Sequence, residues 1–154
     1  PPEYIADASG LIAGLKTTTT RGEIFKALLE GITYYFMDAM GLLRSAGIDT
    51  TRFVATGGGA KSDRWMQIKA DIAGVRYVRP AITECSSLGA AMLAGVAAGV
   101  YGSQAEAIER FVRIERMFEP DPHRHAIYTE QVERYRQMWR VARPVLRYTQ
   151  PRAG

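Results

Sequence analysis

Three consecutive glycines stand between a short β-prone run and a helical segment, and they are the strongest candidate for a ligand-contacting feature. The stretch reads Ala55-Thr56-Gly57-Gly58-Gly59-Ala60-Lys61-Ser62-Asp63. Glycines let the backbone approach a flat or charged ligand closely, and the first N–H groups of the following helix have no partner within the helix. Taken alone, the glycines fit a tight strand-to-helix turn without a ligand equally well.

Two common nucleotide-binding patterns do not fit this turn. A P-loop needs a glycine directly before its lysine and another five residues earlier, but these positions hold Ala60 and Ala55. The dinucleotide fingerprint needs glycine or alanine where Ser62 stands. Any nucleotide at this turn must therefore be held in another way.

Two carboxylates and one aromatic residue were weighed as further candidates. Glu84 begins a helix of small residues, where a carboxylate complements the positive end of the helix dipole, so we predict a capping role rather than catalysis. Glu30 lies in the middle of a helix, where we expect a structural acceptor for a neighbouring backbone group. Trp65 is predicted to fill the core rather than to stack on a ligand.

Cysteine and histidine are too few for a metal site. Cys85 has no nearby histidine to activate it and is predicted to be small and buried. His123 and His125 are predicted to be surface residues of a loop beside Asp121. A single cysteine also excludes an internal disulfide framework and fits a reducing cytosol, so the expected localisation is cytoplasmic.

Length and composition indicate one ordinary domain. The chain has 154 residues, 47% of them hydrophobic, and no apolar run approaches the roughly 20 residues that cross a bilayer. It begins with Pro1, which indicates a chain cut from a longer protein. The net charge is +4, with a run of arginines near the end that is predicted to be a solvated helix face, phosphates or acidic partners being the alternative. These arginines are Arg134, Arg136, Arg140, Arg143, Arg147 and Arg152.

The elements around the glycine turn follow from periodicity and capping signals. A capping box at Thr20 and Glu23 begins a long helix that ends near Gly47. Strand, turn, helix and strand then form a βαβ unit, so its two strands are predicted to be parallel. The segment from Arg113 to Pro122 is punctuated by prolines, and Pro144 should kink or end the last helix. The remaining predicted elements are strands 52–56 and 75–80 and helices 62–73, 84–100, 104–112 and 125–145, with irregular chain over 1–16.

Three separate segments, taken in their order along the chain, resemble sequence motifs of the FGGY family of carbohydrate kinases. Around the turn, the residues Gly57 to Ser62 with Trp65 and Gln67 resemble the family's adenosine motif. Upstream, the resemblance lies in Gly14-Leu15 and in Ala27-Leu28-Leu29-Glu30-Gly31-Ile32. Downstream, it lies in Glu84 and Leu88-Gly89-Ala90-Ala91-Met92-Leu93-Ala94-Gly95. The similarity covers nearly the whole chain, and within the family the sequence is most similar to the xylulokinase-like branch.

The resemblance implies a fold and an activity. The fold class would be α/β, part of an actin-like or ribonuclease H-like ATPase domain, helix-rich with a small, partly parallel sheet. Residues 1–154 would be a single unit, the later part of the C-terminal, ATP-binding domain. Such kinases transfer the γ-phosphate of ATP to a sugar or polyol hydroxyl with Mg²⁺.

The resemblance also assigns candidate site residues. It places Gly58, Gly59 and Ala60 against the adenine and ribose of ATP or ADP, with Gly57 also among the nucleotide-binding residues. Lys61 would reach a phosphate, a solvated lysine on the first helical turn being the alternative. Asp63 stands where many relatives have an asparagine that bonds the adenine amino group; an ionised aspartate can accept from that group but cannot donate to a ring nitrogen. No catalytic or metal-binding residue is assigned, because the family's catalytic aspartate lies upstream. The chain alone is therefore predicted not to phosphorylate sugar.

Partners and alternatives complete the expectations. The sugar or polyol would be bound mainly by an N-terminal domain, and such kinases are often dimers. No nucleic acid or membrane partner is predicted. One alternative is a non-catalytic nucleotide-binding module of the actin-like superfamily. The other is a basic interaction domain that uses the C-terminal arginines, although it lacks a recognisable recognition helix.

Overall fold

The computed structural model describes residues 10–148, which form two compact units. Among these residues, one unit combines residues 10–49 with residues 122–148, and the other is Thr50–Asp121. The prediction that residues 1–154 behave as a single unit stays a prediction. The predictions for residues 1–9 and for Arg152 lie outside the described residues. The helices and strands are, in order, α1 (Arg21–Ser45), β1 (Arg52–Val54), a 3-10 helix (Gly58–Lys61), α2 (Asp63–Ala73), β2 (Arg76–Pro80), α3 (Cys85–Ala97), α4 (Gln104–Phe111), β3 (Ile114–Phe118) and α5 (Pro122–Tyr148).

Helix α1 begins and ends as its sequence predicts. The Thr20 hydroxyl accepts from the Glu23 N–H at 3.2 Å, and the Glu23 carboxylate accepts from the Thr20 N–H at 2.7 Å, which completes the capping box. At the other end Gly47 has φ 76°, the left-handed conformation that glycine adopts without strain.

Helix α5 packs on α1 through aromatic rings and two polar contacts. The Tyr34 ring lies 5.6 Å from that of Tyr135. The Tyr128 hydroxyl donates to Glu30 at 2.7 Å, and Arg136 pairs with Asp38 at 2.8 Å. This unit therefore depends on a mixed aromatic and ionic seam between two long helices.

The structure contradicts one sequence prediction for α5 and one of the two alternatives of another. His123 and His125 lie in the first turn of the helix, not in a loop, because the helix begins at Pro122. Proline is well tolerated in a first helical turn, where its missing N–H would have no partner. The helix also continues past Pro144 to Tyr148, so this proline does not end it.

The second unit is built on a three-stranded sheet of order β1-β2-β3. Strands β1 and β2 are parallel, with Phe53 opposite Tyr77, as the βαβ pattern predicted. Gly74 closes the connecting helix α2 with φ 65°. Buried residues on α2 and the sheet make its core: Met66, Ala70, Ile72, Ala73, Tyr77, Val78 and Phe118.

Strand β3 lies in the proline-punctuated segment from Arg113 to Pro122, where the sequence predicts no strand. The strand runs antiparallel to β2, with Arg79 opposite Arg116 and Pro80 opposite Ile114. Glu115 is thus the extra residue of a β-bulge. Only Phe118 of the strand's five residues is buried. The strand therefore lacks the alternation of buried and exposed residues that indicates a half-buried strand.

Helix α3 is the small-residue helix, and it has no fully buried residue. It contacts α4, and beyond its end Tyr101 packs edge-on against Phe111 of α4, with 5.6 Å between ring centroids. Among the helices over residues 10–148, none combines the length and apolar character that crossing a membrane requires.

Candidate functional site

The glycine turn is fixed between the ends of two neighbouring segments. Beyond β1, the Ala55 N–H donates to the Val78 carbonyl at 2.9 Å, which extends the parallel pairing toward the turn. The Gly57 N–H then donates to the Thr83 carbonyl at 2.9 Å. Gly57 has φ 76°, so glycine is required there for the chain to change direction.

Two of the three turn glycines have open space where a side chain would be. An added Cβ on Gly57 or on Gly58 would meet no heavy atom within 4 Å, and Gly58 is also exposed. An added Cβ on Gly59 would lie 2.9 Å from Cζ3 of Trp65, closer than carbon atoms normally approach. Ala60 is fully buried. Because the left-handed backbone at Gly57 restricts that position, the turn presents an open backbone face at Gly58, while Gly59 and Ala60 pack into the fold.

Helix α2 starts directly after the turn and is capped by Ser62. The Ser62 hydroxyl accepts from the Trp65 N–H at 3.3 Å, so its side chain belongs to the helix start. The Trp65 indole is covered by the Lys69 ammonium, 4.3 Å from the ring centre. Burial lowers the pKa of Lys69 below its ordinary value. Trp65 therefore packs against the turn as predicted, although it is half-buried rather than part of the buried core.

The side chains of Lys61 and Glu84 form an exposed ion pair. Their charged atoms are 3.5 Å apart, with side chains 63% and 73% exposed. Glu84 occupies the N-cap position of α3, as predicted, but its side chain makes no capping hydrogen bond. Its carboxylate faces Lys61 instead. An exposed pair of this kind contributes little to stability, so Lys61 can leave it for an anionic ligand.

Asp63 is held by two arginines from neighbouring strands. Its Oδ1 accepts from Nη1 of Arg79 at 2.7 Å, and its Oδ2 accepts from Nη1 of Arg116. The same Arg79 nitrogen donates to the Ala60 carbonyl at 3.1 Å, and Arg79 Nε donates to Glu115 at 3.0 Å. We call Asp63, Arg79 and Arg116 the arginine clamp.

The clamp was not visible in the sequence. Arg79 and Arg116 stand 16 and 53 residues from Asp63, on β2 and on the unpredicted β3. The Arg79 side chain is only 11% exposed. Hydrogen bonding to Asp63, followed by that to Glu115, raises the pKa of Arg79 above its ordinary value. Arg79 thus remains charged and connects the turn to the sheet through its hydrogen bonds.

The other candidate residues take structural positions. Glu30 accepts from the Tyr128 hydroxyl and pairs with Lys26 at 3.2 Å, so the predicted backbone donor is replaced by side chains. Cys85 is half-buried rather than buried, and its thiol donates to the Ile82 carbonyl at 3.3 Å. Within residues 10–148 no cluster of three or more His, Cys, Asp or Glu could hold a metal ion.

Comparison with known proteins decides the family. Residues 1–98 match the profile described as the C-terminal domain of the FGGY family of carbohydrate kinases. The chain belongs to this family. Among curated FGGY relatives, it is 38% identical over 132 residues to glycerol kinase 2 of Sulfolobus acidocaldarius, covering 83% of this chain and 26% of the relative. It is 32% identical over 139 residues to a xylulose kinase of Staphylococcus epidermidis, covering 90% and 28%.

Solved FGGY kinase structures share its fold. A ligand-bound xylulose kinase from Lactobacillus acidophilus superposes with a TM-score of 0.82 at 26% identity, covering 94% of this chain and 29% of that one. A Plasmodium falciparum glycerol kinase with ADP gives 0.71 at 27% identity, covering 86% and 27%. The predicted fold class, part of an actin-like or ribonuclease H-like domain, is confirmed. The chain spans about a quarter of the length of the curated relatives it matches.

Proposed function

We propose that this chain supplies the adenosine side of the ATP site in a kinase that phosphorylates a sugar or polyol hydroxyl. The observation that carries the proposal is the open backbone face at Gly58, at the end of a strand and directly before a helix, in a chain of the FGGY family. Relatives named as glycerol and xylulose kinases support the reaction class. A glycerol kinase structure with ADP supports the nucleotide.

Each residue of the turn has a different role in this proposal. Gly57 gives the chain its change of direction, and Gly58 lets the ligand approach the backbone. Gly59 and Ala60 keep the turn packed on Trp65 and the sheet. Lys61 lies beyond them with a mobile ammonium that can turn from Glu84 toward a phosphate. Asp63 follows at the first residue of α2.

In this proposal Mg²⁺ binds together with the nucleotide and not to residues of this chain. The described residues offer no cluster of ligands for it, and both oxygens of Asp63 are already held by arginines. We therefore assign no residue of this chain to the metal. The hydroxyl substrate, the catalytic base and most phosphate contacts are assigned to other parts of the kinase, and the cytoplasm and a homodimer are the expected setting.

One of the C-terminal arginines is already engaged within its own unit. Arg136 pairs with Asp38 and also lies 3.7 Å from Glu133. A salt-dependent DNA interaction would need several arginines free to neutralise phosphates, so Arg136 gives no support to the alternative of a basic interaction domain.

The test is a calorimetric titration with Mg²⁺–ADP of the wild-type chain, Gly58→Val and Gly22→Ala. Gly58→Val places a side chain on the open face of the turn without meeting protein atoms within 4 Å at its Cβ. We expect wild-type and Gly22→Ala to bind with Kd on the order of 0.1–1 mM, and Gly58→Val to lose binding. Circular dichroism must show all three folded.

Two results would contradict the proposal. Equal binding by wild-type and Gly58→Val would remove the turn from the site. Absence of binding by a folded wild-type chain would remove the site from this chain. A coupled assay with ATP and either glycerol or xylulose should meanwhile show no turnover by the chain alone, because no catalytic base is assigned to it.

A further inference from the structure

Three polar side chains that follow the turn glycines, those of Lys61, Ser62 and Asp63, are already engaged within the protein. Lys61 pairs with Glu84, Ser62 caps the helix at the Trp65 N–H, and Asp63 holds the two arginines of the clamp. Of the three, Asp63 is bound most firmly, because each carboxylate oxygen accepts a charge-assisted hydrogen bond.

Release of Asp63 toward a ligand would be unfavourable. It would leave Arg79, a largely buried guanidinium, with Glu115 as its remaining carboxylate partner. Loss of one of its two carboxylate partners would leave the charge of Arg79 less well compensated, which is unfavourable. Asp63 therefore stays with the arginines when a ligand arrives, and an ionised carboxylate has no proton to donate to a ring nitrogen.

The clamp has a direct consequence for the turn. Arg79 Nη1 donates both to Asp63 Oδ1 and to the Ala60 carbonyl, so the aspartate orients the guanidinium that holds the end of the turn. Ala60 is fully buried and has no polar side chain of its own. The position of the turn backbone therefore depends on Asp63 through Arg79.

We propose that Asp63 is a positioning residue of the nucleotide site, and that the site takes purine nucleotides with little discrimination between adenine and guanine. The inference rests on the proposed function. With the side chains of Lys61, Ser62 and Asp63 engaged, the turn offers a base its open backbone at Gly58. Packing of a base on this backbone depends on the ring shape that adenine and guanine share, and none of these three side chains is left to distinguish the edge groups in which the two bases differ.

The experiment measures Kd for Mg²⁺–ADP and Mg²⁺–GDP with wild-type, Asp63→Ala, Arg116→Ala and Glu115→Gln chains. We expect the two wild-type Kd values to agree within about threefold, since one hydrogen bond to a base would give tenfold or more. Asp63→Ala should raise both values by the same factor and leave their ratio unchanged. Arg116→Ala should act in the same direction more weakly, and Glu115→Gln, which leaves the Asp63–Arg79–Ala60 contacts in place, least.

Distinct outcomes separate this inference from the function on which it rests. A wild-type preference for ADP above tenfold that Asp63→Ala abolishes would show that Asp63 reads the base, and would overturn the inference while supporting the nucleotide site. A uniform loss with an unchanged ratio supports both. Binding of neither nucleotide by folded wild-type chain would overturn the proposed function and the inference together.

Discussion

The contact between Gly59 and Trp65 makes a single methyl group matter at this turn. Because an added Cβ would lie 2.9 Å from the indole, Gly59→Ala must displace the Trp65 ring or the turn. We expect the free energy of unfolding to fall by about 1–3 kcal/mol, the usual effect of overpacking. Urea unfolding followed by tryptophan fluorescence measures it.

Gly58→Ala is the matched control for this variant. Its Cβ has open space, so its unfolding free energy should stay within about 0.5 kcal/mol of wild-type. Equal destabilisation by the two alanines would show that the turn is sensitive for a reason other than the indole contact.

Trp65 itself carries a buried donor without an acceptor. Its Nε1 has no hydrogen-bond partner among the described residues, and an unsatisfied buried N–H is unfavourable. Trp65→Phe removes that group while keeping an aromatic ring against Gly59, so we expect a loss of no more than about 1 kcal/mol. Trp65→Ala should lose about 3–5 kcal/mol because it leaves a cavity. Similar losses in chemical denaturation for both variants would contradict this explanation.

At the scale of elements, the start of α1 depends on the reciprocal bonds of Thr20 and Glu23. Thr20→Ala should lower the unfolding free energy by about 1 kcal/mol, because it removes the acceptor for the Glu23 N–H. Urea unfolding at pH 7 measures it. Glu23→Gln keeps an acceptor for the Thr20 N–H and should lose less, so a larger effect of Glu23→Gln would contradict the capping account.

The same capping box makes the stability of α1 depend on pH in the acid range. Hydrogen bonds from the Thr20 backbone and then from its side chain lower the pKa of Glu23 below 4.5. A depressed carboxyl pKa stabilises the folded state above the ordinary value, and this stabilisation is lost as pH falls through the folded value. Acid titration of the Glu23 carboxyl by NMR should therefore show a midpoint below that of Glu23 in the Thr20→Ala chain.

The elements that carry strong local signals could be predicted from the sequence. The capping box of α1, the glycine ends of α1 and α2 and the parallel pairing of β1 with β2 were all read correctly. Strand β3 could not be read, since its exposed side chains leave no period of two. The extent of α5 was underestimated because a proline inside a helix usually marks its end.

The candidate site divides in the same way. The glycine turn is a local pattern, and its place between β1 and α2 could be predicted from neighbouring residues. The partners of Asp63 and Glu84 are set by pairing of distant segments, and no spacing within the sequence reveals them. Arg79 and Arg116 were therefore absent from the predicted site, although they determine what Asp63 can do.

At the scale of the whole molecule, three tyrosines make the fold sensitive to alkali. Burial raises the pKa of Tyr77 to about 12 and raises the pKa values of Tyr34 and Tyr135, with Glu30 and Asp38 adding to the respective effects. Between the ordinary value of 10 and the folded values, the unfolded chain loses protons that the folded chain keeps. The free energy of unfolding therefore falls as pH rises above 10.

The expected slope is at most about 1.4 kcal/mol per pH unit for each tyrosine, and less for Tyr34 and Tyr135, which are partly exposed. Lys69 acts in the opposite direction, because its pKa is lowered, but it is one group against three. Urea unfolding at pH 8, 10 and 11 measures the slope, and Tyr77→Phe should flatten it. A free energy that stays constant from pH 9 to 11 would contradict this account.

The bulge at Glu115 also sets which changes in chain length this domain can accept. Because Glu115 is the extra residue between the pairs of Arg79 with Arg116 and of Pro80 with Ile114, deleting it would leave both pairs in place and make the ladder regular. Deleting Met117 instead would move either Arg116 or Phe118 by one position relative to β2 and turn its side chain to the other face, away from the clamp or the core. A different side chain at position 115 changes only one ion pair. The segment should thus accept the loss or replacement of Glu115 far better than a deletion among the paired residues, so the register of these pairs is a better guide than the identity of residue 115 to which related chains retain the clamp.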